Sequence, residues 1–179
     1  MKKIALLLTA FMALSSFSVK GQEDTFLREY LERLENSRKY LLEVAELMPE
    51  EQYHFKASPE SLSFAENLLH IGFAMNWHTK SLIGDQPSIS WQEDTVFKVA
   101  DKTKAEMIAL IDKYFKSNIA FLAKVDPKVL NQRLNYFGQE RSKRQILMLL
   151  SDHITHHRGQ MLVYLRLKGI TPPRYVLYQ

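Results

Sequence analysis

The chain contains no cysteine. None of its 179 residues is Cys, which excludes disulfides, zinc–thiolate sites and a cysteine nucleophile. The length fits one domain, and a domain of this size can bury a sufficient core without crosslinks.

No apolar run is long enough to cross a bilayer. The run at residues 4–14 is eleven residues long, whereas a spanning helix needs about 20. It follows two lysines, and Val19 and Gly21 fit the −3 and −1 positions of a cleavage site. We therefore predict a signal peptide at 1–21 and an exported mature domain at 22–179, periplasmic or extracellular, without stable membrane insertion. An uncleaved interfacial helix is the alternative.

The chain also lacks a strong charge of either sign once the leader is set aside. It holds 24 basic and 20 acidic residues, a net charge of +4. The leader carries Lys2, Lys3 and Lys20 and no acid, so the mature domain is close to neutral. Because no basic stripe is present, we expect no nucleic-acid binding.

Four long segments have the spacing of apolar residues that is typical of helices. They cover about residues 23–48, 63–83, 102–125 and 142–168. Ser63 with Glu66 and Ser142 with Gln145 predict capping boxes, and Asp101 or Thr103 caps the third helix. Residues 132–140 are polar and predicted to be irregular, with a short extended piece. The pattern predicts an all-α four-helix bundle, and the long connections leave its topology open.

Two histidines lie on the inward stripe of the fourth helix. That stripe is formed by residues at steps of three and four: Ile146, Leu150, His153, His157, Met161 and Tyr164. An i, i+4 pair is about 5–6 Å apart at Cβ, so both imidazoles can reach one ion. The alternative is a pair of hydrogen-bonded core histidines, which would have to overcome the desolvation of two polar rings.

A third ligand must come from another helix, and spacing alone leaves it open. His70 and His78 both lie on the second helix and point about 80° apart. His78 shares the stripe of Phe64, Leu68, Ile71, Met75 and Leu82, whereas His70 shares a face with Glu66, Ala74 and Trp77. We interpret His54 and His156 as surface or packing residues.

Two segments resemble motifs of the DinB-like (YfiT-like) family of metal-dependent hydrolases. The segment from His153 to Pro173, HITHHRGQMLVYLRLKGITPP, is similar to the family's C-terminal signature. The segment SLSFAENLLHI that ends at Ile71, followed by Trp77, looks like its second-helix motif. The similarity covers essentially the whole mature chain in helix count and motif order.

The resemblance implies a four-helix bundle with a three-histidine metal site. Matched by position, the ligands fall on His70, His153 and His157. Within the C-terminal motif, Arg158 suggests an acidic partner on the bundle surface, and Gly159 suggests a closely packed neighbouring helix. Many relatives are cytoplasmic, so the predicted leader makes a cytosolic thiol an unsuitable substrate.

Three histidines would leave an ion with an open position, as in catalytic sites. Imidazole suits zinc and nickel, which are the expected ions. Candidates for an acid, base or hydrogen-bond donor are Glu66, His78 and Tyr164, each with a structural alternative.

We therefore carry two hypotheses: a hydrolase or transferase of an unknown small molecule, and a non-catalytic metal- or ligand-binding envelope stress protein. The sequence is compatible with a homodimer, although it shows no strong exposed apolar stripe that would form the interface.

Overall fold

The computed structural model describes the backbone of residues 2–175 and the side chains of residues 25–175. The predicted signal peptide and its cleavage site lie outside the described side chains, so both stay predictions. No helix in the described part of the chain is long and apolar enough to cross a membrane.

The described chain is built from four long helices and one small hairpin. The helices are α1 (Lys2–Leu47), α2 (Phe64–Asn76), α3 (Lys104–Leu122) and α4 (Lys143–Leu167). A π-helical segment, Trp77–Ile83, continues α2, and short 3-10 turns occupy Glu50–Gln52 and Pro127–Asn131. Strands β1 (Arg133–Tyr136) and β2 (Gln139–Ser142) precede α4. The prediction of a four-helix bundle is confirmed.

The helix starts follow from side-chain caps. Ser63, Thr103 and Ser142 each accept a hydrogen bond from the backbone three residues on, and each forms a complete capping box. Such reciprocal bonds satisfy donors that a helix start leaves free. Helix α4 ends at Leu167, and Gly169, two residues later, has a φ of 73°, a left-handed conformation that glycine adopts without a Cβ penalty.

The end of the second helix differs from the regular α-helix that the sequence predicts. From Trp77 to Ile83 the chain adopts π-helical geometry, and Gly84 N–H donates to Thr79 O at 3.1 Å. The Thr79 hydroxyl donates to Met75 O at 2.7 Å and also contacts Asn118 of α3. π-helical turns are rare in proteins and occur frequently at functional sites.

The segment predicted to be irregular is an antiparallel hairpin. Tyr136 pairs with Gln139, and the two turn residues, Phe137 and Gly138, have φ values of 50° and 80°. Two left-handed residues make a type I′ turn, whose twist matches paired strands. Periodicity missed the hairpin because each strand has only four residues.

The order of the helices around the bundle brings α2 and α4 together. The neighbouring pairs are α1–α3, α3–α2, α2–α4 and α4–α1. Helices α1 and α2, although consecutive in sequence, therefore lie diagonally opposite each other, as do α3 and α4. This arrangement places the two helices that carry the candidate ligands side by side.

Candidate metal centre

Three histidines converge at the contact between α2 and α4. His153 and His157 are one turn apart on α4, and their ring centroids are separated by 4.6 Å. The His70 ring reaches across from α2 to within 5.0 Å of the His153 ring and 4.6 Å of the His157 ring. One ring nitrogen from each residue lies within 4.8 Å of the other two. The structure thus brings together the three residues that the sequence motifs select.

Two nitrogens of this cluster are buried without a partner among the described residues. His70 Nδ1 and His153 Nε2 have no hydrogen bond within the part of the chain that the structure describes. Leaving a buried polar atom unsatisfied costs about 1–3 kcal/mol. A bound cation would remove this cost by accepting both lone pairs, so the residues fit a metal ion.

The protonation of the cluster suits metal binding. Burial, reinforced by repulsion from His153 and His78, lowers the pKa of His70 from 6.5 to about 4. Burial also lowers the pKa of His157 to about 3 and the pKa of His153 below its usual value. All three rings are therefore neutral at physiological pH, and neutrality is the state that a histidine ligand requires.

The donor set resembles that of an open site. It consists of three imidazole nitrogens, and no carboxylate belongs to the group. Three protein ligands leave at least one position for water or substrate in the usual four-coordinate geometry of zinc. The ion would also keep its full 2+ charge and favour an anionic or polarisable ligand.

Aromatic rings surround His70. The Trp91 ring meets it edge-on with centroids 4.9 Å apart, and the Phe73 ring stacks against it at 6.3 Å. Trp91 comes from the loop between the π segment and α3, and Lys98 lies over its ring while donating to its carbonyl. These contacts give one side of the cluster an apolar wall, a function that sequence analysis did not assign to Trp91.

His78 lies beside the cluster and outside the group of three. Its ring centroid is 6.2 Å from that of His153. Its Nδ1 donates to Ala74 O at 2.6 Å, so its Nε2 accepts a bond from the Tyr136 hydroxyl at 3.0 Å. Both nitrogens are engaged in this geometry. The residue that it holds near the cluster, Tyr136, lies on the hairpin, where sequence periodicity offered no signal.

The other two catalytic candidates also have engaged polar atoms. The Glu66 carboxylate accepts the Ser63 N–H at 2.6 Å and pairs with Lys56 at 3.2 Å. The Tyr164 hydroxyl donates to Leu62 O at 2.9 Å. A catalytic role for either residue stays a prediction, because these contacts show what each side chain holds and do not test chemistry.

A buried asparagine that sequence analysis missed contacts the cluster. Asn67 is fully buried on α2, and its Oδ1 lies 2.8 Å from Nδ1 of His157. The sequence signal that could have identified it is the presence of an amide side chain on a helix that is otherwise apolar nearly all round. Such an amide needs hydrogen-bond partners when it is buried.

The remaining motif residues lie elsewhere. His54 and His156 are exposed, as predicted. The expectation of an acidic partner for Arg158 is wrong for the described residues: its guanidinium is buried, donates to Ser37 Oγ at 2.7 Å and lies 5.1 Å from the Tyr40 ring. The expectation of close packing at Gly159 is also wrong, because no described atom lies within 4 Å of where its Cβ would stand.

Comparison with known proteins places this arrangement in a family. The profile described as the DinB family matches residues 18–178. The uncharacterised Bacillus subtilis protein YrdA is 34% identical over 106 residues, which cover 54% of this chain and 60% of YrdA. The alignment therefore spans less than two thirds of that relative.

Solved structures share the fold. The DinB-like protein YjoA from Bacillus subtilis superposes with a TM-score of 0.64 at 22% identity, covering 84% of this chain and 97% of YjoA. YfiT, also from Bacillus subtilis, superposes with a TM-score of 0.62 at 18% identity, covering 85% of this chain and 90% of YfiT. YfiT is described as a probable metal-dependent hydrolase with an unusual four-helix bundle topology.

Proposed function

The chain belongs to the DinB family, and we propose that it is an exported protein that binds one divalent metal ion through His70, His153 and His157. We further propose that the protein is a metal-dependent hydrolase or transferase. Its substrate would be a small molecule of the cell envelope or its surroundings.

The observation that carries the proposal is the pair of unpartnered nitrogens. His70 Nδ1 and His153 Nε2 come from different helices, and both are buried without a hydrogen bond from any described residue. The two rings that carry them have centroids 5.0 Å apart. A bundle with purely structural histidines would be expected to satisfy these atoms. A shared cation explains both at once.

The chain's own residues would prepare such a site for chemistry. Neutral imidazoles donate lone pairs without cancelling the charge of the ion. The ring of Trp91 covers His70 from one side and limits the access of water there. A divalent ion held by the three rings would act as a Lewis acid that polarises a carbonyl group or a water molecule.

Zinc and nickel are the proposed ions because both accept imidazole nitrogen and neither requires a carboxylate. The signal peptide predicted from the sequence of residues 1–21 supports the proposal of export. The description of YfiT as a probable metal-dependent hydrolase supports the choice of reaction class.

A second candidate, a non-catalytic metal-binding protein of the envelope, is favoured by one specific observation. The nitrogens of His78, the carboxylate of Glu66 and the hydroxyl of Tyr164 all have hydrogen-bond partners within the fold. No member of this set is free to act as a general base in the described geometry, and metal-assisted hydrolysis needs a base or a positioned water molecule.

Elemental analysis of the purified mature protein tests the metal site. We expect about one zinc or nickel ion per chain in the wild type and in His54→Ala, whose side chain is exposed. The ion should be lost from the His153→Ala/His157→Ala double variant and from His70→Ala. Full metal occupancy in His70→Ala would refute the three-histidine assignment.

An activity screen separates the two candidates. Wild-type protein loaded with zinc or nickel is assayed against a panel of small esters, amides and thiol acceptors. The metal-loaded His54→Ala variant is the matched control, and the His153→Ala/His157→Ala variant is the blank. Turnover that requires the histidines supports the hydrolase or transferase. Stoichiometric metal binding with no turnover across the panel would favour the non-catalytic protein.

A further inference from the structure

The buried amide of Asn67 has a fixed orientation. Its Nδ2 lies 3.1 Å from Leu62 O and 2.9 Å from Ser63 O. Backbone carbonyls can only accept hydrogen bonds, so the NH₂ group must face them. The opposite atom, Oδ1, therefore faces His157. An amide whose two ends are often hard to distinguish is here assigned by its partners.

This orientation determines which nitrogen of His157 carries the proton. An amide oxygen accepts and cannot donate, so the contact of 2.8 Å requires a proton on Nδ1 of His157. The neutral ring then has its lone pair on Nε2. The ring centroids of His70 and His153 lie at 4.6 Å from the ring of His157, within reach of a shared ion.

We infer that Asn67 is a positioning residue that holds His157 in the Nδ1–H tautomer and so presents Nε2 to the metal ion. The inference rests on the proposed function, because it assumes that His157 is a ligand. Residues that accept the second N–H of a metal-bound histidine fix the orientation of its ring and raise its basicity.

The support for Asn67 extends to both helices of the site. Leu62 O, which accepts from Asn67, also accepts from the hydroxyl of Tyr164 on α4. The start of α2 is thereby tied to the helix that carries His157. This places Tyr164 behind Asn67 as part of the frame that keeps the amide in position, an assignment that accounts for its hydroxyl without a catalytic role.

The tautomer can be measured without any metal. Two-bond ¹H–¹⁵N correlation spectra of the metal-free mature protein report which nitrogen of each histidine is protonated. We expect His157 of the wild type to carry its proton on Nδ1, with Nε2 unprotonated. In Asn67→Leu, which is similar in size and cannot accept, we expect the Nδ1–H tautomer to lose its dominance.

Metal affinity gives the functional readout. Competition titrations with Zn²⁺ against a chelator should show an affinity about 10- to 100-fold weaker for Asn67→Leu than for the wild type, the usual effect of removing such a partner. Asn118→Leu is the matched control. Asn118 is equally buried, its Nδ2 donates to a helix carbonyl and its Oδ1 accepts from the Thr79 hydroxyl. Neither of these hydrogen bonds involves His70, His153 or His157. We expect its affinity within about twofold of the wild type.

The possible outcomes separate the inference from the proposed function. A wild type that binds no Zn²⁺ at the histidines would contradict the proposed function, while its spectrum would still report the tautomer. A wild type that binds Zn²⁺ with His157 protonated on Nε2 in the metal-free state would overturn the inference. Equal affinities in Asn67→Leu and the wild type, or equal losses in Asn67→Leu and Asn118→Leu, would overturn it as well. If Asn67→Leu does not fold, the tautomer of wild-type His157 remains decisive.

Discussion

His78 should make the metal-free protein sensitive to mild acid. The residue is 2% exposed, and burial lowers its pKa from 6.5 to about 4, a shift that repulsion from His153 reinforces and the bond to Ala74 O opposes. Between about pH 6.5 and 4, therefore, the unfolded chain, whose histidines keep ordinary pKa values, binds a proton at His78 and the folded chain does not. Stability is fully present above about pH 6.5 and is lost as the pH falls toward 4.

The size of the effect follows from the two pKa values. With 6.5 for the unfolded chain and about 4 for the folded one, linkage gives a loss of about 1.3 kcal/mol between pH 7.5 and 5.5. The loss reaches about 2.5 kcal/mol at pH 4.5. The pKa values of His70, His153 and His157 are lowered as well, so these residues add to the total loss in acid. They are unchanged in a variant that lacks only His78, and comparison with such a variant therefore isolates the share of His78.

Urea unfolding of the metal-free mature protein at pH 7.5, 5.5 and 4.5 measures this loss. His78→Gln keeps polar atoms near Ala74 and Tyr136 but does not titrate. The difference in unfolding free energy between pH 7.5 and 4.5 should therefore shrink by about 2.5 kcal/mol in this variant, whatever its stability at pH 7.5. His54→Gln, at an exposed position, should retain the wild-type difference. If His78→Gln lost as much stability in acid as the wild type, the burial of a neutral His78 would be refuted.

Three further substitutions test packing and turn geometry by chemical denaturation. Gly72→Ala should lower the free energy of unfolding by about 1–2 kcal/mol despite the helix preference for alanine. The reason is that the new Cβ would stand 2.6 Å from both Ile111 Cδ1 and Phe97 Cε1. An unchanged denaturation midpoint would contradict this prediction. Gly159→Ala, with open space around its Cβ, should raise the free energy of unfolding by up to about 1 kcal/mol. A decrease would mean that Gly159 is closely packed after all. Phe137→Asn should stabilise by about 1 kcal/mol, since asparagine tolerates the φ of 50° better than a bulky side chain; a loss would mean that contacts of the Phe137 ring outweigh its backbone strain.

The helices were predictable from sequence because their signals are local. Capping boxes at Ser63 and Ser142 depend on residues only three positions apart, and both are present. The stripe on α4 that carries His153 and His157 also follows from spacing within one helix. These features need no knowledge of distant packing.

The parts that sequence analysis missed depend on contacts between elements. The π segment is held by Thr79 and by Asn118, which is far away in sequence. The hairpin presents Tyr136 to His78, a contact that no periodicity encodes. The diagonal placement of α1 and α2 results from packing around the bundle and could not be read from connection lengths that permit several topologies.

The choice of the third histidine shows where residue-level reasoning stopped. Helical spacing left His70 and His78 open, and the family motif selected His70. The structure distinguishes them physically: Nδ1 of His70 is buried without a partner among the residues that the structure describes, whereas both nitrogens of His78 are hydrogen bonded. The distinction depends on Tyr136 and on the π geometry, neither of which sequence analysis had predicted.

X-ray absorption spectroscopy of the zinc-loaded mature protein tests the central claim most directly, since it counts the imidazoles around the ion. We predict three histidine nitrogens at about 2.0–2.1 Å, with any remaining ligand a light atom from solvent. A zinc shell with fewer than three imidazoles, or one dominated by carboxylate oxygens, would contradict a metal centre formed by His70, His153 and His157.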